Sequence, residues 1–118
     1  LDGSEITVYG DGTQTRSFCY VDDLISGMVA MMKSPVAFTG PVNLGNPHES
    51  TILDLIEAVR EATGMEVEIV HKSLPMDDPQ RRCPNISRAQ EVLGWTPQVS
   101  LAEGLKLTTD WFRNIICT

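Results

Sequence analysis

Arg16 is the residue of this chain whose type and setting most suggest chemistry, because it follows the turn Gly10-Asp11-Gly12. A guanidinium presents a rigid fork of N–H donors that matches phosphate or carboxylate oxygens, and Gly-x-Gly leaves room for a ligand to approach the backbone. The spacing leaves a second reading open, in which Arg16 pairs with Asp11 or Asp22 and the glycines only make the turn. A single Gly-x-Gly is neither a phosphate loop nor a dinucleotide fingerprint. The other reactive side chains are less suggestive. Cys19, Cys83 and Cys117 are an odd number without metal-ligand spacing, and His48 and His71 are the only histidines, so no zinc constellation assembles from neighbours. Reduced thiols are the expectation, with Cys19 a small core residue.

The elements that must position Arg16 mix strand and helix signals. Ile6-Thr7-Val8-Tyr9 has β-branched and aromatic content, the glycine turn follows, and Ser17 to Val21 reads as a second strand forming a hairpin with the first. Asp22-Asp23 place negative charge at the start of a helix from Leu24 to Met32, whose Leu24, Met28 and Met31 or Met32 read as a core stripe. Gly40-Pro41 breaks the chain before a short strand, Val42-Asn43-Leu44, closed by Gly45-Asn46-Pro47. Ser50 or Thr51 can cap the next helix, with Leu53, Ile56, Val59 and Ala62 on one face and Gly64 at its end. Met65 to Val70 reads as a half-buried strand and the proline-rich stretch Leu74 to Asn85 as a loop. Ser87 can cap a short helix through Leu93. Ser100 can cap another from Leu101 to about Ile116, with Leu101, Leu105, Thr108, Phe112 and Ile115 as its buried stripe.

Composition bounds the function. A chain of 118 residues is the length of one domain, 1–118, and its 42% hydrophobic content implies a core. The net charge of −7 disfavours nucleic acid or an anionic membrane as a partner, since either needs a concentrated basic face. Among the nine basic residues the one tight pair is Arg81-Arg82, for which local pairing with Asp77-Asp78 is one reading. No apolar run reaches membrane-span length and no secretory pattern opens the chain, so a cytoplasmic location is expected.

Four motifs occur in a telling order: Tyr9-Gly10-Asp11-Gly12-x-Gln14-x-Arg16-x-Phe18-x-Tyr20-Val21-Asp22-Asp23-Leu24; Val42-Asn43-Leu44-Gly45-Asn46-Pro47; Asp77-Asp78-Pro79-Gln80-Arg81-Arg82; and Leu93-Gly94-Trp95-Thr96-Pro97. Together they resemble the carboxy-terminal part of the UDP-glucuronate decarboxylase family. That family belongs to the extended short-chain dehydrogenases, beside nucleotide-sugar epimerases and dehydratases.

The resemblance implies an α/β fold, the carboxy-terminal substrate-binding portion of an extended short-chain dehydrogenase, with short strands and about four helices. It implies a UDP-sugar ligand, with Arg16 and Arg82 on the pyrophosphate, Thr7 and Tyr9 near the base, and Asn43 shaping the site. In the whole enzyme it implies C4 oxidation of the sugar by NAD, loss of carbon dioxide and reduction to UDP-xylose. This chain departs from the pattern at Cys83-Pro84-Asn85, where relatives commonly carry a basic residue and then Pro-Asp. It also lacks the close-spaced glycines of a dinucleotide site. Four residues after Tyr9 and Tyr20 stand Thr13 and Leu24, so the family's Tyr-x-x-x-Lys base is missing. The expectation is therefore a binding portion without catalytic residues or bound NAD, completed by an amino-terminal nucleotide-binding domain and prone to self-association. A stand-alone noncatalytic module and a fragment of a related epimerase or dehydratase are the alternatives.

Overall fold

The computed structural model describes residues 1–116, so Cys117 lies outside the described residues. The chain runs β1 (Ile6–Tyr9), β2 (Thr15–Arg16), α1 (Val21–Met32), β3 (Ser50–Thr51), α2 (Ile52–Thr63), β4 (Ile69–Lys72), a π-helical turn (Ala89–Leu93) and α3 (Leu101–Ile116). β1 pairs with β4 in parallel, from Ile6 opposite Ile69 to Tyr9 opposite Lys72. β2 pairs antiparallel with β3, Thr15 opposite Thr51 and Arg16 opposite Ser50.

The expected hairpin between β1 and the Ser17–Val21 stretch does not form. Gly10 and Gly12 take positive φ, and a Cβ at Gly12 would stand 2.7 Å from Leu53 Cγ, so this turn is shaped by close approach to α2. The chain leaves the turn through Gln14, whose buried amide donates to the Tyr9 carbonyl at 2.8 Å, and Thr15 then reaches β3. Val21 already belongs to α1.

Helix ends follow the local chemistry. Thr51 caps α2 through a reciprocal pair: its hydroxyl accepts from Asp54 N–H at 3.0 Å, and the Asp54 carboxylate accepts from Thr51 N–H at 3.1 Å. Gly64 closes α2 in the left-handed conformation, as its position in the sequence suggests. Ser100 Oγ accepts from Glu103 N–H at the start of α3.

Several expected core positions are instead exposed. Met28 is 50% and Met32 85% exposed, whereas the buried residues of α1 are Asp23 and Gly27. On α3, Gly104 and Thr109 are buried while Thr108, Phe112 and Ile115 are exposed. The side chains that the stripes should meet are not supplied by the rest of the chain. The strand expected at Met65–Val70 lies two or more residues later, where β1 offers a parallel edge. Val42–Leu44 forms no strand; Val42 and Leu44 pack instead on a cluster of Ile86, Ala89 and Trp95.

The result is a flat slab of 51 × 40 × 17 Å with a radius of gyration of 16.9 Å. A compact chain of this length has a radius of about 13.5 Å. Its accessible surface is 8014 Å², against about 6,300 Å² for a compact monomer of this mass. Much apolar surface is thus left uncovered. Among the described residues no helix is long and apolar enough to cross a membrane.

Candidate functional site

Thr15 is the junction from which the site is built. It pairs with Thr51 across the β2–β3 ladder, and on its other side its N–H donates to the Gln80 carbonyl at 2.8 Å, forming a parallel bridge with Arg81. This brings the Asp77–Asn85 loop against β2. Ser17 Oγ–H donates to the Arg82 carbonyl at 3.0 Å, and Asn43 Nδ2–H donates to the Asn85 carbonyl at 3.2 Å. Gly45 lies so close to this loop that a Cβ there would stand 3.0 Å from Pro84 Cγ.

Arg16, Arg81 and Arg82 thereby converge on one open cleft of about 660 Å³, walled also by Ser17, Phe18, Cys83 and Pro84. A second cleft shares Arg81, Cys83 and Pro84 with it and extends toward Asn85 and Gln90. The convergence of three of the chain's nine basic residues is notable against its net charge of −7. Such a cleft suits an anionic ligand.

The three arginines are not equivalent. Arg16 is largely engaged within the protein, Nη1 donating to the Thr15 and Pro79 carbonyls at 2.7 and 2.8 Å and Nη2 to Asp78 Oδ1 at 2.6 Å. Its partner is therefore neither Asp11 nor Asp22. Asp11 accepts instead from Thr13 N–H and Oγ1–H, which hold its carboxyl below the usual range. Arg81 pairs with Glu49 through two parallel bonds, Nε to Oε1 at 2.6 Å and Nη2 to Oε2 at 2.8 Å. Hydrogen bonding to Arg81 is the chief cause that lowers the Glu49 carboxyl pKa, and Thr15 Oγ1–H adds to it. The local pairing of Arg81-Arg82 with Asp77-Asp78 does not form. Arg82 is exposed and has no ion pair among the described residues.

Of the other residues the sequence pointed to, Asn43 touches the loop that walls the cleft, while Thr7 and Tyr9 lie on β1 and outside its lining. Tyr9 is half exposed. Sequence reasoning offered Asp78 as a partner of Arg81-Arg82, not of Arg16, and did not anticipate Glu49 as the partner of Arg81. Glu49 lies 32 residues from Arg81, and nothing local marks the pairing.

A larger cavity, about 670 Å³, lies elsewhere, between the Phe18–Val21 segment and α3, with Leu55, Leu105, Trp111 and Phe112 in its walls. Its mostly apolar lining holds no lysine, arginine or histidine. Among the described residues no three His, Cys, Asp or Glu side chains are grouped to hold a metal ion.

The chain itself matches a known family. The model of the family described as GDP-mannose 4,6 dehydratase matches residues 1–108. The chain belongs to that family. It is 49% identical over 113 residues to UDP-glucuronic acid decarboxylase 6 of Arabidopsis thaliana, covering 96% of this chain and 32% of that protein. It is likewise 49% identical over 113 residues to UDP-glucuronic acid decarboxylase 1 of Xenopus tropicalis, covering 96% of this chain and 26% of that one. The UDP-glucuronic acid 4-epimerase of Bacillus cereus, solved in complex with UDP-glucuronic acid and NAD, superposes with a TM-score of 0.89 at 32% identity, over 98% of this chain and 37% of that chain. The fold is accordingly the α/β fold of the extended short-chain dehydrogenases, and the chain spans 26% to 37% of the length of these relatives.

NAD bound to that epimerase raises the question of whether the residues present here fit the cofactor. A dinucleotide pyrophosphate needs a glycine turn opening onto a helix N-terminus with free N–H groups. Here the glycine turn after β1 leads to β2, the start of α2 is occupied by Thr51 and the Asp54 carboxylate, and α1 begins with Asp22 and Asp23. Neither this turn nor the starts of α1 and α2 fit a dinucleotide pyrophosphate.

Proposed function

We propose that residues 1–118 are a single nucleotide-sugar-binding unit, the substrate-binding portion of a UDP-glucuronate decarboxylase-like enzyme. The observation that carries this reading is the convergence of Arg16, Arg81 and Arg82 on one cleft, with Arg82 free of an internal ion pair. Arg82 and the remaining donors of Arg16 take the diphosphate, Thr7 and Tyr9 lie toward the base, and Asn43 shapes the site through the Asn85 carbonyl. The 49% identity to decarboxylases, against 32% to the epimerase, supports the decarboxylase reading over the epimerase one. Since the described residues include neither a Tyr-x-x-x-Lys pair nor a glycine turn that fits a dinucleotide pyrophosphate, the chain contributes binding groups. The catalytic base and cofactor belong to an amino-terminal domain such as the relatives' greater length allows.

Charge-assisted hydrogen bonds contribute roughly 1.5–3 kcal/mol each, so two arginines supply about 3–6 kcal/mol before the cost of association. UDP should therefore bind at a dissociation constant on the order of millimolar or weaker. Titrating UDP into the ¹⁵N-labelled chain should shift the amides of Ser17 and of Arg81 to Cys83, and Arg82→Ala should remove those shifts. Undiminished shifts in both Arg82→Ala and Arg16→Ala would show that the diphosphate does not bind here. The purified chain should release no carbon dioxide from UDP-glucuronate, with or without NAD, and turnover would refute the noncatalytic assignment.

A further inference from the structure

We infer that Asp78 is a positioning residue: it fixes the Arg16 guanidinium in the cleft before a ligand arrives, an inference that rests on the reading of the cleft as a diphosphate site. An arginine side chain has five N–H donors. Those of Nη1 go to the Thr15 and Pro79 carbonyls and one of Nη2 goes to Asp78, leaving Nε–H and one Nη2–H for a ligand. The Arg16 and Asp78 side chains are only 20% and 28% exposed, so water competes weakly for the pair. Without Asp78 the guanidinium is held at one nitrogen and can pivot.

The loop itself does not depend on Asp78. It is tied to β2 by Thr15 N–H to the Gln80 carbonyl and by the Thr15–Arg81 bridge, to Glu49 by Arg81, and to Ser17 through the Arg82 carbonyl. Removing the Asp78 carboxylate therefore frees one side chain and leaves the cleft wall in place.

Two roles for Asp78 make opposite demands. As a mere counter-charge it would compete with the diphosphate, and deleting it would tighten UDP binding. As a positioning residue its deletion weakens binding, because Arg16 must then be ordered by the ligand.

The experiment compares UDP titrations of the parent chain, Asp78→Ala and Asp78→Asn by NMR, with the Arg16 side-chain ¹⁵N signals followed in each. Asparagine keeps an acceptor oxygen for Nη2 and removes the charge. Asp78→Ala should weaken UDP several-fold, up to about tenfold, the cost of ordering one long side chain. Asp78→Asn should bind UDP at least as well as the parent. The Arg16 Nη signals should be resolved in the parent and Asp78→Asn and averaged by rotation in Asp78→Ala, a change that the native amide spectrum of the loop separates from unfolding. Parental or tighter affinity in Asp78→Ala, or unchanged Arg16 signals there, overturns the inference while leaving the diphosphate site standing. A parent chain that ignores millimolar UDP overturns the site and the inference with it.

Discussion

Trp95 and Asp23, 72 residues apart, are joined by a hydrogen bond of 3.0 Å from the indole Nε1–H to the Asp23 carbonyl. The same indole N–H lies 3.0 Å from Ser26 Oγ, and the Asp23 carboxylate accepts from Val99 N–H at 2.9 Å. Asp23, 6% exposed, thus fastens α1 to the segment leading into α3. Deleting it leaves the Val99 N–H without its partner. Hydrogen bonds to charged groups contribute about 1.5–3 kcal/mol, so Asp23→Ala should lower unfolding free energy by about that much, and Asp23→Asn by less. Urea denaturation with an unchanged slope checks this, and a loss below about 0.5 kcal/mol would count the pair as incidental.

Gly27 sits one turn beyond Asp23, and a Cβ there would stand 3.0 Å from both Trp95 Cε2 and Leu44 Cδ2. Alanine raises helix propensity by roughly 1 kcal/mol, whereas overpacking a filled site costs about 1–3 kcal/mol. The indole cannot step aside, because Nε1, bonded to Cε2, is held by Asp23 and Ser26. Gly27→Ala should therefore destabilise the chain, and a rise in its thermal midpoint would contradict the packing argument.

Asp23 and Gly27 also show where sequence reading stops. Asp22-Asp23 were legible as helix-start charges, and both lie in the first turn of α1. That Asp23 turns inward depends on Val99, far along the chain, and no periodicity reports it. Met28 and Met32 have core spacing yet face outward, since spacing records which residues share a face and not whether anything covers it. The caps at Thr51, Gly64 and Ser100 were readable because capping is settled within a few residues. In the cleft, Arg16 and Arg82 were legible through the motif order. The pairing of Asp78 with Arg16 and of Glu49 with Arg81 was not, because it is set by the β2–loop bridge.

Glu49 gives the cleft a pH dependence. Its folded-state pKa is lowered below the ordinary 4.5, chiefly by hydrogen bonding to Arg81. A lowered carboxyl pKa means the tether is fully present above the unfolded value and is lost as pH falls through the folded one. Acidification below about pH 4.5 should release Arg81 and speed amide exchange across the Gln80–Cys83 loop, with little change in global stability because the pair is exposed. Glu49→Gln should show the released behaviour at neutral pH; a loop that exchanges identically in both forms would rule the tether out.

The two described thiols should differ in reactivity. Burial, with a smaller push from the Asp23 charge, raises the Cys19 pKa above the ordinary 9.0, which suppresses the thiolate. Cys83 is exposed on the cleft wall. At neutral pH iodoacetamide should alkylate Cys83 at least about tenfold faster than Cys19, as read by peptide mapping. Saturating UDP should slow Cys83 alone. Equal rates would contradict the partial burial of Cys19, and absence of protection would place the nucleotide elsewhere.

The uncovered apolar faces predict association. On α1, Val21, Ile25, Met28 and Met32 are exposed at helical spacing, and on α3, Trp111, Phe112, Ile115 and Ile116 are exposed beside the apolar cavity. The accessible surface exceeds that of a compact monomer by roughly 1,700 Å². Contiguous apolar patches beyond a few hundred Å² are rare on soluble monomers, so in isolation the chain should cover these faces with a second copy, through an isologous contact or by exchanging an element. Analytical ultracentrifugation at micromolar concentration should show a dimer, weakened by Met28→Asp if α1 forms the contact and by Trp111→Asp if α3 does. A monomer that also binds no hydrophobic dye would mean that the helices close over these faces in solution, and the association argument would fail.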